Sequence, residues 1–249
     1  MQTTGHTILI TGGGSGIGRG LAEAFHAQGN QVIIAGRRQS VLDEVIAANP
    51  GMAGFTVDMT DAASIAALAS QSIAAFPALD TVINNAGIMV NEDLVGGDTL
   101  SIAEETVATN LLGPIRLTAA LLPHLLAQPG ATVLTVSSGL AFVPMAATPT
   151  YSATKAAIHS WSQSLRYQLR NTAVDVLEIA PPYVQTFLQG ATQANDPNAM
   201  PLADYLTETM ELLASPAESG EILVQRVHRQ RFAEQNGSHA QVFGFVNPA

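Results

Sequence analysis

Residues 7–18 read TILITGGGSGIG, a β-branched run that passes directly into a glycine-rich turn. The run Thr7–Thr11 is typical of a buried strand, and the pattern after Gly18 is typical of a helix. Glycines let the backbone approach a ligand closely, and the free amides at a helix N-terminus suit a pyrophosphate group. Tight turns use the same residues, but the position between a strand and a helix favours a dinucleotide site.

The same alternation of strand and helix continues along the chain. Further strand-like runs are 31–36, 54–58, 81–84, 132–137, 174–179 and 221–227, and helix-like stretches lie near 17–28, 39–48, 61–75, 101–127, 152–171 and 202–214. Apolar strands that alternate with helices predict a parallel sheet covered on both faces. We therefore predict an α/β fold, a single doubly wound domain over residues 1–249 with about seven strands.

Two stretches lack a clear period. The segment 182–203 contains Gly190–Met200, which is rich in Gln, Asn, Asp and Pro. We predict that 182–203 is the substrate loop and that Gly190–Met200 within it is a mobile flap. The C-terminal tail 228–249 carries Phe232, Phe243 and Phe245, and these aromatic side chains predict that the tail docks on the rest of the protein.

Composition excludes several classes of protein. The 249 residues are 47% hydrophobic and 12% charged, with a formal net charge of −10. Ten scattered basic residues do not make the basic face that a nucleic-acid-binding protein needs. The richest apolar stretch, 111–126, contains Arg116 and two prolines, so we predict neither a membrane span nor a membrane partner.

The absence of cysteine excludes disulfides, thiolate metal sites and a cysteine nucleophile. The six histidines show no metal-ligand spacing, so we predict no metal site. The chain passes straight into its first strand without a basic segment or a cleavage site, so we predict no export signal. These features favour a cytoplasmic protein.

The end of the second strand indicates which dinucleotide is bound. Dinucleotide folds place an acidic residue there for NAD, or an arginine for the 2′-phosphate of NADP. Here Gly36 takes the acidic position, and Arg37 and Arg38 follow it. Two solvated arginines at a helix start are the alternative, but cations are mildly unfavourable at that end of a helix dipole. We predict NADP(H), and NAD(H) as the less favoured cofactor.

The stretch Tyr151–Lys155 contains the only lysine of the chain; the other nine basic residues are arginines. In a helix, Tyr151 and Lys155 lie on one face with Cβ atoms about 5–6 Å apart. An ammonium beside a phenol lowers the phenol pKa, which predicts a proton donor and acceptor usable near neutral pH. A surface lysine one turn from a packed tyrosine is the alternative.

The chain resembles the short-chain dehydrogenase/reductase (SDR) family over nearly its whole length. The matching motifs are Thr11-Gly12-x-x-x-Gly16-x-Gly18, Asn84-Asn85-Ala86-Gly87, Asn110, Ser138 and Tyr151-x-x-x-Lys155. The resemblance implies a Rossmann-type fold and an oxidoreductase. It implies Tyr151 as general acid/base, Ser138 as the residue that holds the carbonyl, Lys155 on the nicotinamide ribose, and Asn110 as the anchor of a water chain.

The resemblance also implies a set of cofactor-binding residues. They are Gly12, Gly14, Ser15, Gly16, Ile17, Gly18, Arg37, Arg38, Asp58, Asn84, Ala86, Gly87, Tyr151, Lys155, Val184 and Thr186. Structural alternatives remain open for three residues of the site. Ser138 and Asp58 suit helix or turn caps, and Asn110 suits a helix interior.

One turn departs from the family pattern. After the sixth strand the family usually has Pro-Gly-x-Val-x-Thr, whereas this chain has Pro181-Pro182-Tyr183-Val184-Gln185-Thr186. Proline fixes φ and lacks an amide hydrogen, so we predict a rigid turn that projects Tyr183 toward the substrate. The same turn resembles a bacterial branch found near lipoteichoic-acid D-alanylation genes.

The sequence thus predicts hydride transfer between NADP(H) and a carbonyl or alcohol substrate, a small molecule. A non-catalytic NADP-binding sensor on the same fold is the alternative. Predicted substrate-pocket residues are Leu140, Val143, Met145 and Tyr183, with Met89 and Phe187 nearby. Their apolar character favours an apolar ketone or aldehyde. Family members are usually homodimers or homotetramers that pair through helices near 101–127 and 152–171.

Overall fold

A computed structural model describes residues 3–248. Residues 1, 2 and 249, which belong to the predicted domain 1–249 and the predicted tail, lie outside the described residues. Seven strands form one sheet: β1 Thr7–Thr11, β2 Gln31–Gly36, β3 Ala53–Thr56, β4 Thr81–Asn84, β5 Ala131–Val136, β6 Val174–Ile179 and β7 Glu221–Ile222. Every neighbouring pair is parallel, which confirms the α/β prediction.

The strand order is β3-β2-β1-β4-β5-β6-β7. The chain builds outward from β1 in one direction and, from β4 onward, in the other. Open α/β sheets bind ligands at the carboxyl ends of the strands, where the order reverses. That position here lies between β1 and β4, directly after Thr11 and Asn84.

Helices cover both faces of the sheet. They are α1 Gly16–Ala27, α2 Gln39–Ala48, α3 Ala62–Ala75, α4 Leu100–Val107, α5 Gly113–Leu125, α6 Pro149–Leu169, α7 Ala191–Ala194, α8 Leu202–Ala214, α9 His228–Arg231 and α10 His239–Val246. On one face, α1, α2 and α8 pack against the sheet. On the other face, α3, α5 and α6 do so. Within the described part of the chain, no helix is long and apolar enough to cross a membrane.

Several element boundaries differ from the predicted ones. The stretch 101–127 is not one helix, because a π-helical segment, Ala108–Leu112, separates α4 from α5. The predicted strand 221–227 ends at Ile222, and a 3-10 turn follows at Gln225–Val227. Helix α6 begins at Pro149 rather than near 152, because proline is favourable in the first turn of a helix.

The C-terminal tail docks as predicted, but its most deeply buried contacts are not made by phenylalanines. Val242 and Ala233 pack on Val143 in a small separate core, whereas Phe243 and Phe245 remain exposed. The substrate segment 182–203 is held by a parallel bridge between Val184 and Met200 and contains the short helix α7.

Candidate active site

The glycine-rich turn after β1 and the segment after β4 interlock at the switch point. Asn85 donates from Nδ2 to the Thr11 carbonyl oxygen at 2.9 Å. The Thr11 hydroxyl accepts from the amides of Asn85 and Ala86, each at 3.1 Å. A Cβ on Gly12 would lie 2.8 Å from Asn85 Nδ2, and one on Gly18 would lie 2.3 Å from it. A larger residue at either position would separate the two segments.

The start of α1 can accept an anion. Ser15, the residue before the helix, makes no side-chain cap hydrogen bond. The amides of the first turn therefore lack a side-chain cap from Ser15, and such amides together with the helix dipole bind phosphate oxygens.

A cleft of about 270 Å³ lies beside this turn. Eight of the predicted cofactor residues line it: Gly12, Gly14, Ser15, Arg37, Arg38, Asp58, Ala86 and Gly87. Apolar side chains form another part of the lining, namely Val41, Leu42, Val57 and Met59. A glycine turn, two guanidinium groups and an apolar wall fit the phosphates and the base of a nicotinamide dinucleotide.

Both arginines are available for a ligand. The Arg37 side chain is 62% exposed, and its Nη1 lies 3.7 Å from Glu105 Oε1. An exposed pair at that distance contributes little to stability, so a phosphate group can displace Glu105. Arg38 precedes α2 and makes no side-chain cap hydrogen bond there.

Asp58 does not cap α3; that helix is capped by Asp61, whose side chain accepts from Ala63 N. The Asp58 carboxylate accepts from the amide of Thr60 at 2.9 Å and from its hydroxyl at 2.7 Å. These hydrogen bonds, and more weakly the charge of Arg37, lower the pKa of Asp58. Asp58 is therefore a fixed acceptor on the rim of the cleft.

Six further predicted cofactor residues, all outside α6, do not line this cleft. They are Gly16, Ile17, Gly18, Asn84, Val184 and Thr186. Ile17 and Val184 pack against the core. Asn84 donates to Thr118 Oγ1 at 3.0 Å, so it connects β4 to α5. Asn84 shares a strand face with Val82, two residues earlier, and that face packs on α5.

Thr186 lies close to the glycine turn. A Cβ on Gly16 would lie 3.5 Å from Thr186 Cβ. Gln193 holds the surrounding segment, because its Nε2 donates to Val184 O at 2.9 Å and to Thr186 Oγ1 at 3.1 Å. The substrate segment is thus anchored beside the start of α1.

Ser138, Tyr151 and Lys155 come together next to the nucleotide cleft. Ser138 follows β5 and is hydrogen bonded to Tyr151, which lies in the first turn of α6. Lys155 Nζ lies 5.5 Å from the centre of the Tyr151 ring and donates to Val136 O at 2.7 Å. A Cβ on Gly87, which lines the cleft, would lie 3.7 Å from that ammonium.

Ser138 also caps the turn that follows it, as the alternative interpretation predicts. Its Oγ accepts from Leu140 N at 3.1 Å. One hydroxyl can donate one hydrogen bond and accept others, so the turn contact fixes Ser138 without excluding the contact with Tyr151.

Asn110 lies in the π-helical segment and clamps the loop after β4. Its Oδ1 accepts from Ile88 N at 2.9 Å, and its Nδ2 donates to Ile88 O at 2.9 Å and to Thr154 Oγ1 at 3.3 Å. A Cβ on Gly87 would lie 3.3 Å from Asn110 Oδ1. Asn110 therefore connects the cleft to α6; π-helical turns often occur at functional sites.

The predicted lowering of the tyrosine pKa is wrong for this structure. Burial raises the pKa of Tyr151 to about 12, although the hydrogen bond with Ser138 acts in the opposite direction. Burial also lowers the pKa of Lys155 to about 8, with the Glu178 carboxylate opposing that change. Removal from water penalises the charged form of each group. This cost exceeds the stabilisation of the ionised phenol by the nearby ammonium that the sequence predicts.

The predicted substrate residues do not form one pocket. Val143 is fully buried beneath the C-terminal tail, so its prediction as a pocket residue is wrong. Leu140 and Met145 line a second, apolar cleft of about 390 Å³ with Phe243. The lining of that cleft includes neither Ser138 nor Tyr151, because it lies against the face of α6 that carries Ala153 and Ala156.

Tyr183 is not packed beneath the sheet. Its side chain is 40% exposed, and its hydroxyl donates to Asp196 Oδ2 at 3.1 Å. The diprolyl turn therefore presents this ring at the surface of the substrate segment. Phe187 is also exposed, and Met89 is half-buried.

Three polar residues near the site escaped prediction. Glu92 and Gln193 carry no sequence signal, because Glu92 contacts a residue 58 positions away and Gln193 lies in an irregular segment. Glu178 does carry one: it is a carboxylate in the strand-like run Val174–Ile179, and unlike the exposed Asp175 of the same strand it is completely buried. Such a residue requires a partner, and His159 Nδ1 lies 2.9 Å from its Oε2.

Known proteins show the same fold. A short-chain dehydrogenase from Burkholderia cenocepacia J2315 in complex with NADP has a TM-score of 0.83 at 22% identity, covering 97% of this chain and 99% of its own. A relative from Burkholderia phymatum in complex with NAD has a TM-score of 0.82 at 22% identity, covering 100% and 98%. At these identities the likeness establishes the fold.

Sequence comparison gives the family. The uncharacterized oxidoreductase DltE of Bacillus subtilis (strain 168) is 42% identical over 189 residues, which are 76% of this chain and 75% of that protein. This likeness confirms the resemblance to the bacterial branch. The family model described as short chain dehydrogenase matches residues 6–197. The chain therefore belongs to the short-chain dehydrogenase/reductase family of oxidoreductases.

Proposed function

We propose that this protein is an NADP(H)-dependent reductase or dehydrogenase that interconverts a ketone or aldehyde with its alcohol. One observation carries the proposal: the hydrogen-bonded pair of Ser138 and Tyr151 lies beside Lys155, and Lys155 approaches Gly87 in the nucleotide cleft. A proton donor, a carbonyl anchor and a cofactor site are thus adjacent, as carbonyl reduction requires.

Each residue of the site has its own role in the proposed reaction. A bound nicotinamide supplies or accepts the hydride. Ser138 and Tyr151 donate hydrogen bonds to the carbonyl oxygen, which stabilises the negative charge that develops there. Tyr151 then transfers its proton to that oxygen as general acid. Lys155 holds a positive charge nearby, and Asn110 fixes the loop that carries Gly87.

Preference for NADP over NAD is part of the proposal. Gly36 stands where NAD-binding folds carry an acidic residue, and Arg37 and Arg38 line the cleft next to it. Guanidinium groups pair with phosphate in bidentate fashion. The printed names of the structural relatives include both NADP and NAD complexes, so the preference rests on these arginines.

The remaining proposals concern the molecule as a whole. We propose that residues 1–249 act as one cofactor-binding domain with a small-molecule substrate. Homodimers or homotetramers would pair through the helices near 101–127 and 152–171, which are α4, α5 and α6. A cytoplasmic location fits the lack of cysteine. An apolar ketone or aldehyde fits the apolar exposed side chains on the substrate segment, such as Phe187 and Leu188.

The test is NADPH consumption over a panel of aldehydes, ketones, keto-acids and cyclic ketones, repeated with NADH. We expect oxidation of NADPH with some members of the panel, and weaker oxidation of NADH. Tight NADPH binding without turnover on any member would instead favour the non-catalytic sensor.

Replacing Tyr151 tests the proton donor. We expect Tyr151→Phe to lower kcat about a hundredfold or more, because positioned proton transfer contributes roughly 10²–10⁴ to rate. NADPH binding, measured by fluorescence titration, should stay nearly unchanged. Tyr167→Phe, at an exposed tyrosine of the same helix, is the matched control. Retained turnover in Tyr151→Phe would remove Tyr151 from the mechanism.

A further inference from the structure

A buried carboxylate joins the loop after β4 to the helix that carries Tyr151. Glu92 is only 8% exposed. Its Oε1 accepts from Thr150 N at 2.9 Å, and its Oε2 accepts from Thr150 Oγ1 at 2.7 Å. Its own amide donates to Ala147 O at 2.9 Å. Three hydrogen bonds therefore fix Glu92 against the start of α6.

The start of α6 depends on this external cap. Thr148, the residue before the helix, makes no side-chain cap hydrogen bond. Pro149 has no amide hydrogen, so Thr150 has the first free N–H of the helix. A carboxylate at this end satisfies that donor and also interacts favourably with the helix dipole. Glu92 thus supplies the cap that the local sequence does not.

The residue before Glu92 contacts the substrate segment. Asn91 Oδ1 accepts from Gln189 Nε2 at 3.2 Å. The Gln189 amide in turn donates to Gln193 Oε1 at 3.0 Å, and Gln193 holds Thr186. Two consecutive residues, 91 and 92, therefore reach the substrate segment on one side and the catalytic helix on the other.

We infer that Glu92 is a positioning residue for Tyr151. It fixes the first turn of α6 one residue before the phenol, and through Asn91 it ties that turn to the substrate segment. The inference rests on the proposed function, because the position of the phenol matters for rate only if Tyr151 transfers the proton. Misplacement of a reacting group by about 1 Å can cost about a hundredfold in rate.

Two variants of Glu92 and one control test the inference kinetically. We expect Glu92→Ala to lower kcat about tenfold or more, while the Kd for NADPH changes less than about twofold. Glu92→Gln keeps an oxygen that can accept from Thr150 N, so it should regain most of the lost kcat. Asp61→Ala removes a comparable cap from α3 and should leave kcat unchanged. Wild-type turnover in Glu92→Ala, or an equal loss in Asp61→Ala, would overturn the inference.

Hydrogen exchange separates this inference from the proposed reaction. In Glu92→Ala, peptides covering residues 149–155 should lose about tenfold in amide protection, whereas peptides covering β5 should not change. If residues 149–155 lose protection but no substrate in the panel reacts, Glu92 is confirmed as the cap of α6 and the proposed reaction is refuted. Unchanged protection of residues 149–155 would refute the role of Glu92 whatever the activity.

Discussion

The two protonatable groups at the centre of the site respond to burial in opposite directions. Burial raises the pKa of Tyr151 to about 12 and lowers that of Lys155 to about 8. At neutral pH the phenol therefore keeps the proton that the proposed carbonyl reduction needs. Lys155 is the member of this pair that titrates close to neutral pH, so its charge governs how the pair depends on pH.

This difference predicts a pH profile. A lowered lysine pKa means that the ammonium is present below about pH 8 and is lost as the pH rises through that value. We expect kcat/KM for NADPH-dependent reduction to fall over the same range, since this parameter reports the free enzyme. An arginine at position 155 cannot lose its proton in this range. The Lys155→Arg variant should therefore be slower than the wild-type protein, but its kcat/KM should not fall as the pH rises. An identical fall in both proteins would contradict the assignment to Lys155.

The proposed preference for NADP over NAD also depends on single residues. Arg37→Ala should raise the Kd for NADPH about tenfold or more, because it removes a charge-assisted bond to the 2′-phosphate. The Kd for NADH should change less than about twofold. Fluorescence titration with both cofactors measures this, with Arg170→Ala, at an exposed arginine stacked on Tyr167, as control. Equal weakening of both cofactors would refute the contact.

At the scale of elements, an ion-pair cluster attaches the tail to the edge of the sheet. Glu178 on β6 is paired with His159 on α6. Arg231 on α9 donates to both carboxylate oxygens of Glu221 on β7, at 2.7 and 2.9 Å. His159, Glu178 and Glu221 each have one nitrogen or oxygen atom that could bind a metal ion, and these three atoms lie within 4.8 Å of one another. Because Arg231 already pairs with both oxygens of Glu221, we interpret the cluster as structural.

Breaking this cluster should loosen the tail. Arg231→Ala leaves a largely buried carboxylate without its partner, which costs on the order of 2 kcal/mol. We expect lower unfolding free energy in urea and faster proteolytic cleavage within residues 228–248. Arg229→Ala, on the same helix but over the exposed ring of Phe245, is the control. Equal stability of the two variants would show that the cluster does not hold the tail.

The sequence predicts those elements whose signal is local. Strand periodicity and the turn at Gly12 follow from adjacent residues, so the sheet and the nucleotide cleft are predicted well. A valine suits an apolar pocket and an apolar core equally well. The sequence therefore could not show that Val143 lies in the core under the tail rather than in a substrate pocket. The contact between Glu92 and Thr150 joins residues far apart in sequence. The pKa of Tyr151 depends on burial, which residue spacing does not reveal.

For the whole molecule, α6 leaves a face of small residues uncovered. Ala153, Ala156 and Ser160 are exposed along it, and Ala153 and Ala156 border the apolar cleft closed by Phe243. Small side chains permit close approach of a second helix. This surface is therefore the place where the proposed homo-oligomer would pair.

A charge on that face should disrupt the assembly. We expect Ala156→Glu to shift wild-type dimers or tetramers toward monomers, because a carboxylate in an apolar interface must be desolvated. Analytical ultracentrifugation measures the change. Ala66→Glu, on the exposed face of α3, carries the same charge and should leave the assembly intact. A monomeric wild-type protein would refute the proposed pairing.

The burial of Lys155 has a practical consequence. It is the sole lysine of the chain and is only 5% exposed. Apart from the α-amino group, an amine-directed acylating reagent therefore has one target, which it reaches only when the surrounding structure opens. The rate at which Lys155 is acylated, measured by mass spectrometry of its peptide, therefore reports how often the structure around it opens. This measurement needs no engineered label.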